Sequence, residues 1–312
     1  MYDSLVTITG FITLSLLALR FLNFIYTYLK PSSLHLYQKF GAWAFVTGAS
    51  DGIGRGFTRV LSEKGFNVIL HGRNKSKLQG VVADLQKKYP NTQYRIVIAD
   101  ASNSDEMNPS IQAIVDSLHD LPGPLTVLIN NVGGTGNLPR TFLPLRKYTS
   151  SNVDSVLNVN ARFTTLLTRA LLPTLSANNQ HGLVINLSSL AGIIGIPYCS
   201  VYSGTKAYLN AWSTSLSREL AIENVPIQVL SLAVGRVTDT VFYREPSSIF
   251  APTSNTLARA ALGRVGYGGV VLAPYWGHGV QRAFVEALPV WLESLFTNAS
   301  ILKEIENEDK RV

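Results

Sequence analysis

The chain has 312 residues, of which 46% are hydrophobic and 15% are charged, with a formal net charge of +7 and a pI near 9.4. This composition excludes an intrinsically disordered chain, and the single cysteine, Cys199, excludes an intrachain disulfide framework and a multi-cysteine metal site. The positive charge suits phosphate-bearing ligands or an anionic membrane surface. Basic residues form no compact block with interleaved aromatics, so we predict no nucleic-acid partner and no metal.

The first predicted element is an apolar stretch from Leu5 to Leu29, which is long enough to cross a bilayer as a helix. No basic residue precedes it, whereas Lys30 and Lys39 follow it, so the positive-inside bias places the rest of the chain in the cytosol. The charged Arg20 is the main objection to a membrane span, although its side chain can snorkel to the interface. A cleaved signal peptide and a buried core helix are the alternatives. We expect residues 1–30 to be a single-pass anchor and residues 31–40 a short tether.

A strand, a glycine-rich turn and a helix are predicted next. Ala42–Val46 is a short apolar run, and the sequence TGASDGIG at residues 47–54 leads from it into a helical pattern. Gly48 permits a tight turn, Gly52 lets the backbone approach a pyrophosphate, and Gly54 allows the helix to pack closely on the strand. The helix N-terminus then offers free N–H groups to the phosphates. The glycine pattern in this context predicts a dinucleotide-binding site.

The end of the second predicted strand indicates which dinucleotide is preferred. Residues 67–71 are followed by Gly72 and Arg73, where an acidic residue would hold the ribose hydroxyl of NAD. Arg73 can instead pair with a 2′-phosphate, and Arg55 adds a second cation inside the glycine turn. NADPH is therefore the predicted cofactor, with ordinary surface arginines as the alternative interpretation.

Strands and helices continue to alternate along the chain. The predicted helices are 75–88, about 105–119, about 154–175 and one that starts near Ser200, and the predicted strands are 93–99, 125–129, 181–187 and 226–233. This alternation predicts an α/β fold with a doubly wound parallel sheet, in which ligands bind beyond the carboxyl ends of the strands. Asp100 and Asn130 follow two of these ends, and the Asp100 carboxylate can accept a hydrogen bond from an adenine amino group.

Tyr202 and Lys206 are four residues apart on a predicted helix, so their side chains lie on one face. A phenol is a poor acid or base at neutral pH unless a nearby cation stabilises the phenolate, and Lys206 is placed to do so. Taken alone, such a pair is more typical of a solvated helix face. Two polar pairs elsewhere in the chain are also noted, but periodicity does not choose between their members: Ser188 and Ser189 after the fifth strand, and Asn158 and Asn160 in the long helix.

These motifs together resemble the classical short-chain dehydrogenase/reductase family. The resemblance runs from about Gly41 to Ala273 and is carried by TGASDGIG, by Asn-Asn-Val-Gly at residues 130–133, and by Tyr-x-x-x-Lys with Ser189 upstream. It implies a Rossmann fold. The cofactor contacts that it implies, together with those already noted, are Gly48, Ser50, Asp51, Gly52, Ile53, Gly54, Arg55, Arg73, Asp100, Asn131, Val132, Gly133, Tyr202, Lys206, Val234, Gly235 and Val237.

The same resemblance implies four catalytic roles. Tyr202 is the general acid, and Lys206 lowers the pKa of Tyr202 while it binds the nicotinamide ribose. Ser189 hydrogen-bonds the substrate carbonyl, and Asn160 holds a water in a proton relay. Two hydrogen-bond donors, Tyr202 and Ser189, would then face the oxygen that becomes negative during hydride delivery. Preorganised donors of this kind stabilise the developing charge.

A narrower resemblance is to the fungal microsomal very-long-chain 3-oxoacyl-CoA reductases, which are similar to 17β-hydroxysteroid dehydrogenases. It rests on the N-terminal span and on residues 31–34, 41–43 and 273–276. It implies reduction of a 3-oxoacyl-CoA to the 3-hydroxy form during fatty-acid elongation, by an enzyme of the endoplasmic-reticulum membrane with a cytosolic catalytic domain. A homodimer and partners in an elongation complex are further candidates.

Two departures from the family pattern keep other functions open. Val234-Gly235 stands where Pro-Gly is common, and the threonine that usually follows has three candidate positions, residues 238–240. The chain also ends without a lysine-rich retrieval signal. Reduction of a steroid or a fungal secondary-metabolite ketone is therefore a second hypothesis. A catalytically silent scaffold in a membrane complex is a third, but it predicts the loss of Ser189, Tyr202 or Lys206, and all three are present.

The C-terminal segment from Val270 to Phe296 is again apolar and aromatic. Its large aromatic residues recur at roughly helical intervals: Trp276, Phe284, Trp291 and Phe296. Such a stripe fits a core or a dimer interface, and it also fits the mouth of an acyl tunnel or a membrane contact. We expect residues 41–273 to be the NADP-binding catalytic domain and residues 274–312 to be an apolar extension with a polar tail.

Overall fold

Seven parallel strands form one sheet in the computed structural model, which describes residues 2–310. The spatial order is β3-β2-β1-β4-β5-β6-β7, so the direction of winding reverses between β1 and β4. The strands are β1 (Trp43–Val46), β2 (Asn67–Gly72), β3 (Tyr94–Ile98), β4 (Leu125–Asn130), β5 (Gly182–Ser189), β6 (Ile227–Val234) and β7 (Val271–Leu272). The predicted doubly wound parallel sheet is confirmed. The pattern did not reveal β7, whose two residues lie inside the apolar C-terminal stretch.

Helices cover both faces of the sheet. They are α1 (Tyr2–Leu29), α2 (Gly52–Glu63), α3 (Lys75–Lys88), α4 (Met107–Asp116), α5 (Ser150–Leu157), α6 (Phe163–Leu175), α7 (Ala191–Ile194), α8 (Ser200–Ile222), α9 (Ser254–Gly263), α10 (Trp276–Ala287) and α11 (Val290–Asp309). Side chains of β1 alternate between two apolar layers, because successive residues of a strand face opposite sides. Ala44 and Val46 pack with α2, α3 and α9, whereas Trp43 and Phe45 pack with α4, α6 and α8.

The long helix predicted at residues 154–175 is wrong as a single regular helix. A π-helical turn at Asn158–Arg162 separates α5 from α6, and the N–H of Phe163 bonds the carbonyl of Asn158 five residues earlier. The amide of Asn160 donates to the carbonyl of Val156 over 2.9 Å. One inserted residue leaves the apolar spacing on either side intact, so the hydrophobic pattern did not show it. Turns of this kind are frequent at functional sites.

The N-terminal helix α1 is exposed along most of its length. Residues Ser4–Leu29 have a mean hydropathy of 2.0, and this is the one helix among residues 2–310 that is long and apolar enough to cross a membrane. Its last turns dock on the rest of the protein, because the Tyr28 hydroxyl donates to the Ala273 carbonyl over 2.9 Å and Arg264 donates to the Thr27 carbonyl. A side chain at Gly279 would collide with Tyr28. The helix therefore leaves the domain at a defined position.

The segment predicted as a tether, residues 31–40, packs on the domain. Leu34 and Tyr37 are buried in the first apolar layer, and the Ser32 hydroxyl donates to the Leu262 carbonyl over 2.6 Å. The packed segment gives the N-terminal helix two independent attachments to the domain, one at its own end and one just after it.

The C-terminal helices α10 and α11 lie at the carboxyl edge of the sheet. Ion pairs join α11 to the domain: Arg140 lies 3.6 Å from Glu308 and also pairs with Asp309, and Arg236 pairs with Glu304. The four aromatic residues of the predicted stripe are 46% to 70% exposed, so they are not part of a core within this chain. Arg311 and Val312, at the end of the predicted polar tail, lie outside the described residues.

Candidate active site

Three of the predicted catalytic side chains meet at the carboxyl end of β5. Ser189 is the last residue of that strand, Tyr202 lies in the first turn of α8, and both residues line the same cleft. Lys206 lies one turn further along α8, with its Nζ 5.5 Å from the centre of the Tyr202 ring and 2.8 Å from the Leu187 carbonyl, to which it donates. The helical spacing thus places the phenol and the ammonium in one cleft, as predicted.

Burial sets the ionisation of both α8 residues. Burial raises the pKa of Tyr202 to about 12, and the nearby Ser189 hydroxyl opposes this rise. Burial also lowers the pKa of Lys206 to about 7. Tyr202 is therefore a protonated phenol at neutral pH, which is the form that a general acid needs. That Lys206 lowers the pKa of Tyr202 during the reaction stays a prediction.

The structure distinguishes the members of the two polar pairs. The Ser188 hydroxyl donates to the Lys206 carbonyl and supports α8, so Ser189 is the serine that faces Tyr202. Asn158 donates to the Ser102 carbonyl at 3.4 Å, on the side of the adjoining loop. Asn160 is the asparagine at the site.

Asn160 holds the glycine turn that follows β4. Its Oδ1 accepts from the Gly134 N–H at 3.0 Å, and its Nδ2 donates to the Gly134 carbonyl at 2.7 Å. A Cβ atom at Gly133 would lie 2.8 Å from the Asn160 Oδ1 and 3.1 Å from the Lys206 Nζ. Only a glycine lets this turn approach the ammonium so closely. Because the Asn160 amide is occupied by the turn, its role in holding a relay water stays a prediction.

The turns after β1 and β4 are joined by side chains on both sides of the strand-order reversal. The Thr47 hydroxyl accepts from the N–H groups of Asn131 and Val132 at 2.8 and 2.9 Å, and the Asn131 amide donates to the Thr47 carbonyl at 2.9 Å. Gly48 and Gly52 have φ angles of +63° and +48°, in the left-handed region that favours glycine. The turn after β1 therefore has the backbone conformation that its glycines predict.

Two observations indicate that a dinucleotide fits the glycine turn between β1 and α2. A Cβ at Gly48 would lie 2.9 Å from the Asn131 amide, so the turn has no room for a side chain. Asp51 caps α2 by accepting from the Gly52 N–H at 2.7 Å, which leaves the helix N-terminus beside the turn. A cavity of about 190 Å³ continues toward α8, and nine predicted site residues line it: Ile53, Asn131, Gly133, Ser189, Tyr202, Lys206, Val234, Gly235 and Val237.

The residues predicted to read the adenosine end lie at the carboxyl ends of β2 and β3. An Arg73 guanidinium nitrogen lies 3.9 Å from the Asp100 carboxylate, and 76% of the Arg73 side chain is exposed. The Asp100 pKa is lowered: partial burial raises it, but hydrogen bonds from the Ser102 N–H and hydroxyl, at 2.9 and 2.7 Å, outweigh that effect. Arg55 pairs with Asp84 at 3.2 Å. Arg73, with the longer ion-pair distance and the more exposed side chain, is the less engaged of the two arginines.

The loop after β6 shows which of residues 238–240 is the threonine at the cofactor cleft. Thr238 is buried and its N–H donates to the Pro252 carbonyl at 3.0 Å, while the Asp239 carboxylate accepts from the Ser254 N–H at 2.8 Å. Thr240 lines the cavity beside the Gly52 turn. Thr240 is therefore the threonine that faces the cofactor cleft.

His278 supports the same loop and was not predicted. Its Nδ1 lies 3.2 Å from the Gly235 N–H, and its Nε2 lies 3.0 Å from the Arg236 carbonyl. Because the Gly235 amide can only donate, Nδ1 accepts and Nε2 carries the proton. Burial lowers the His278 pKa to about 4, so the ring stays neutral at physiological pH. The contact spans 43 positions of the chain, and a lone histidine in an apolar helix gave no sign of it.

A second cavity, of about 340 Å³, opens on the other side of Tyr202. We name it the proximal cavity. Phe142, Ile196 and Ile301 contribute to its largely apolar wall. Cys199 also lines it, but burial raises the pKa of its thiol to about 12, so this cysteine is not a nucleophile.

The arrangement can reduce a carbonyl or oxidise the corresponding alcohol. A carbonyl oxygen in the proximal cavity would meet two hydroxyl donors, Tyr202 and Ser189, one on a helix and one on a strand. When bound, the nicotinamide supplies or accepts the hydride. Tyr202 can give its proton to the oxygen as charge develops there, and Lys206 can stabilise the phenolate that remains. Within residues 2–310, no group of His, Cys, Asp or Glu side chains is arranged to hold a metal ion.

The chain is similar to curated proteins over most of its length. The family model for short chain dehydrogenases matches residues 42–247. A very-long-chain 3-oxoacyl-CoA reductase of Podospora anserina is 33% identical, with 83% of this chain and 75% of that protein covered. A protein of the same name from Candida glabrata is 32% identical, with coverage of 90% and 83%.

Solved structures share the fold. One is from work on 7β-hydroxysteroid dehydrogenase stereoselectivity, with a TM-score of 0.71, 19% identity, and coverage of 84% of this chain and 99% of that chain. A metagenomic short-chain oxidoreductase in complex with NADP has a TM-score of 0.59, 28% identity, and coverage of 75% and 96%. The chain therefore belongs to the short-chain dehydrogenase family, and it is an oxidoreductase that uses a nicotinamide cofactor to interconvert a CH–OH group and a carbonyl.

Proposed function

We propose that this protein reduces very-long-chain 3-oxoacyl-CoA to 3-hydroxyacyl-CoA with NADPH, in the elongation of fatty acids. The observation that carries the proposal is the proximal cavity, where the Tyr202 and Ser189 hydroxyls face a largely apolar wall closed by α11. A long-chain substrate needs such a wall next to the polar donors. The names of the Podospora anserina and Candida glabrata relatives support the same substrate class.

The chemistry follows from the placement of the donors. Hydride adds to C3 of the substrate, and the C3 oxygen takes the proton of Tyr202 while Ser189 donates a hydrogen bond to it. The high pKa of Tyr202 suits this reductive direction, because the phenol is fully protonated before the reaction. The positive charge of Lys206, when it is protonated, favours the phenolate that the proton transfer leaves behind.

NADPH is proposed over NADH because of Arg73. Its side chain is largely exposed at the end of β2, and its one long contact, with Asp100, leaves guanidinium N–H groups available. A guanidinium recognises a phosphate monoester with paired hydrogen bonds, whereas a ribose hydroxyl would be better held by a carboxylate at this position.

The proposed location is the endoplasmic-reticulum membrane, with the catalytic domain in the cytosol. The docked helix α1 supports a single span, and Lys30 directly after it supports a cytosolic domain under the positive-inside bias. Arg20 lies within the last third of the helix, close enough to the domain side to reach the membrane interface.

The test uses membranes that contain the full-length protein. NADPH oxidation is followed with 3-oxo-octadecanoyl-CoA and, separately, with a steroid 17-ketone, and Tyr202→Phe is the control. We expect turnover of the acyl-CoA and a loss of at least about a hundredfold in the variant, because general-acid catalysis contributes about two to four orders of magnitude. Turnover of the steroid alone would replace the proposal with the steroid hypothesis. Turnover of neither would refute both.

A further inference from the structure

A third cavity adjoins the proximal cavity on the side away from Tyr202. It has a volume of about 270 Å³ and lies between α7, α10 and α11; we name it the distal cavity. Six residues line both cavities: Leu190, Ile194, Ile196, Gln281, Ser300 and Ile301. Because the same six residues line both spaces, the two cavities are neighbours.

The two cavities differ in the polarity of the parts that they do not share. Near the catalytic hydroxyls, Gly134, Thr135 and Thr141 line the proximal cavity. Beyond the shared residues, Ile193, Val285 and Phe296 make most of the distal lining apolar, alongside Arg282 and Thr297. A molecule with a polar and an aliphatic half, and a ketone between them, would place the polar half toward Thr135 and the aliphatic half in the distal cavity.

The distal cavity leads toward the membrane helix. Arg282 of α10 lines it and also lines a groove of about 500 Å³ between α10 and the last turns of α1. On the outer side of the distal cavity, Phe284 and Phe296 contact each other edge to face with ring centres 6.3 Å apart, and Trp291 is 70% exposed. Exposed aromatic rings beside a spanning helix are typical of a protein surface at the membrane interface.

We infer that the proximal and distal cavities form a passage that holds the aliphatic chain of the substrate and opens at the α10–α11 surface beside α1. This inference rests on the proposed function and names the place where a long chain lies. A chain seated in this passage would have its ketone at the Tyr202 hydroxyl and its methyl end at the opening, next to the bilayer. The polar CoA half would remain on the Thr135 side.

Two loops hold helix α11, which forms one wall of the passage, in place. Glu308 accepts hydrogen bonds from the N–H groups of Thr141 and Phe142 at 2.7 and 3.3 Å, and Arg236, in the loop that His278 supports, pairs with Glu304. These contacts fix the helix against the cleft. The width of the passage is therefore set by side chains and not by free movement of α11, and a substitution in its lining should change the accepted chain length.

Two blocking variants and one control test the passage. Thr297→Trp and Val285→Trp each place an indole in the distal cavity, from α11 and α10 respectively, and Asn298→Trp places one on the exposed neighbouring position of α11. With NADPH and full-length protein, we expect each blocking variant to lower kcat/KM for 3-oxo-octadecanoyl-CoA at least about tenfold, because every methylene kept from apolar surroundings costs about fourfold. Activity on acetoacetyl-CoA should stay within about twofold, and the control should match the wild type on both.

Equal losses on the long and the short substrate in both blocking variants would overturn the passage, and so would unchanged long-chain activity. If one variant no longer reduces acetoacetyl-CoA, the other variant decides the test, because the two indoles enter the cavity from opposite walls. If the wild type reduces neither thioester, the proposed function fails, and a binding measurement then decides on the passage alone.

That binding measurement uses a long-chain acyl-CoA with a diazirine at the far end of its chain. After irradiation of the full-length protein, peptide mass spectrometry locates the label. The passage predicts label within residues 190–196 or 281–301, competed by octadecanoyl-CoA much better than by acetyl-CoA. Label confined to residues 134–142, or no competed label, would overturn the inference whatever reaction the enzyme catalyses.

Discussion

Replacing Lys206 by methionine should stabilise the fold at acidic and neutral pH while it abolishes catalysis. Burial lowers the pKa of Lys206 from 10.5 to about 7, and this shift corresponds to a penalty of about 5 kcal/mol for the charged side chain at low pH. Methionine fills a similar volume without a charge, but it leaves the Leu187 carbonyl without its 2.8 Å hydrogen bond, at a cost of about 1–3 kcal/mol. Below pH 7 the variant should therefore be about 2–4 kcal/mol more stable.

The sign of this difference should reverse at alkaline pH. Between the folded pKa of about 7 and the unfolded value of 10.5, the unfolded wild type binds a proton that the folded protein lacks, so wild-type stability rises with pH relative to the variant. The rise is about 1.4 kcal/mol per pH unit, which brings the two proteins to equal stability at about pH 9. Above that value the missing hydrogen bond makes the variant the less stable protein.

The assay is urea unfolding in detergent without nucleotide, at pH 6, 8 and 9.5, with the m-values compared to check that the transitions are equivalent. Lys303→Met removes a charge from an exposed position of α11 and serves as the control. Other titrating groups cancel in the difference between wild type and variant. A difference in unfolding free energy that stays constant from pH 6 to 9.5 would refute the depressed pKa of Lys206.

Two further substitutions test the cofactor cleft. Arg73→Asp should weaken NADPH binding at least about 10- to 100-fold, the value of a lost charge-assisted hydrogen bond, and should not weaken NADH binding, because a carboxylate here can hold the ribose hydroxyl. Equal losses of affinity for both cofactors, measured by fluorescence titration, would show that Arg73 does not contact the 2′-phosphate. His278→Ala should raise KM for NADPH at least about fivefold and leave KM for the ketone nearly unchanged, because two backbone groups of the Gly235 loop lose their partner. His278→Asn, which keeps a donor and an acceptor, should recover part of this loss, and a fall in thermal stability with unchanged KM would assign His278 a structural role alone.

The sheet was predictable because its signals are local. Each predicted strand lies within two residues of the observed one, and helix α3 begins and ends at the predicted residues. Short apolar runs that alternate with amphipathic segments determine this fold almost regardless of long-range contacts. The positions of Tyr202, Lys206 and Ser189 followed from helical spacing and from the resemblance, and the structure brings these three together.

The unpredicted features are one local change of hydrogen-bond register and several contacts between distant parts of the chain. The π-helical turn near Asn160 changes the hydrogen-bond register without changing the pattern of apolar residues. His278 contacts a loop more than forty positions away, and the passage is bounded by side chains from β5–α8 on one side and α10–α11 on the other. Hydrophobic periodicity carries no information on which distant elements will share a boundary.

Helix α10 connects three functions that the sequence placed in separate domains. At Gly279 it receives the end of the membrane helix, at His278 it holds the Gly235 loop, and at Gln281 and Val285 it lines the passage. Through His278, residues after 273 thus contact the loop that lines the cofactor cleft. The usual Pro-Gly of the family restricts the loop through its own backbone, whereas Val234-Gly235 leaves that restriction to His278. Removing the whole extension would therefore disturb cofactor binding and chain binding together, so only point substitutions on separate faces of α10 can distinguish the two.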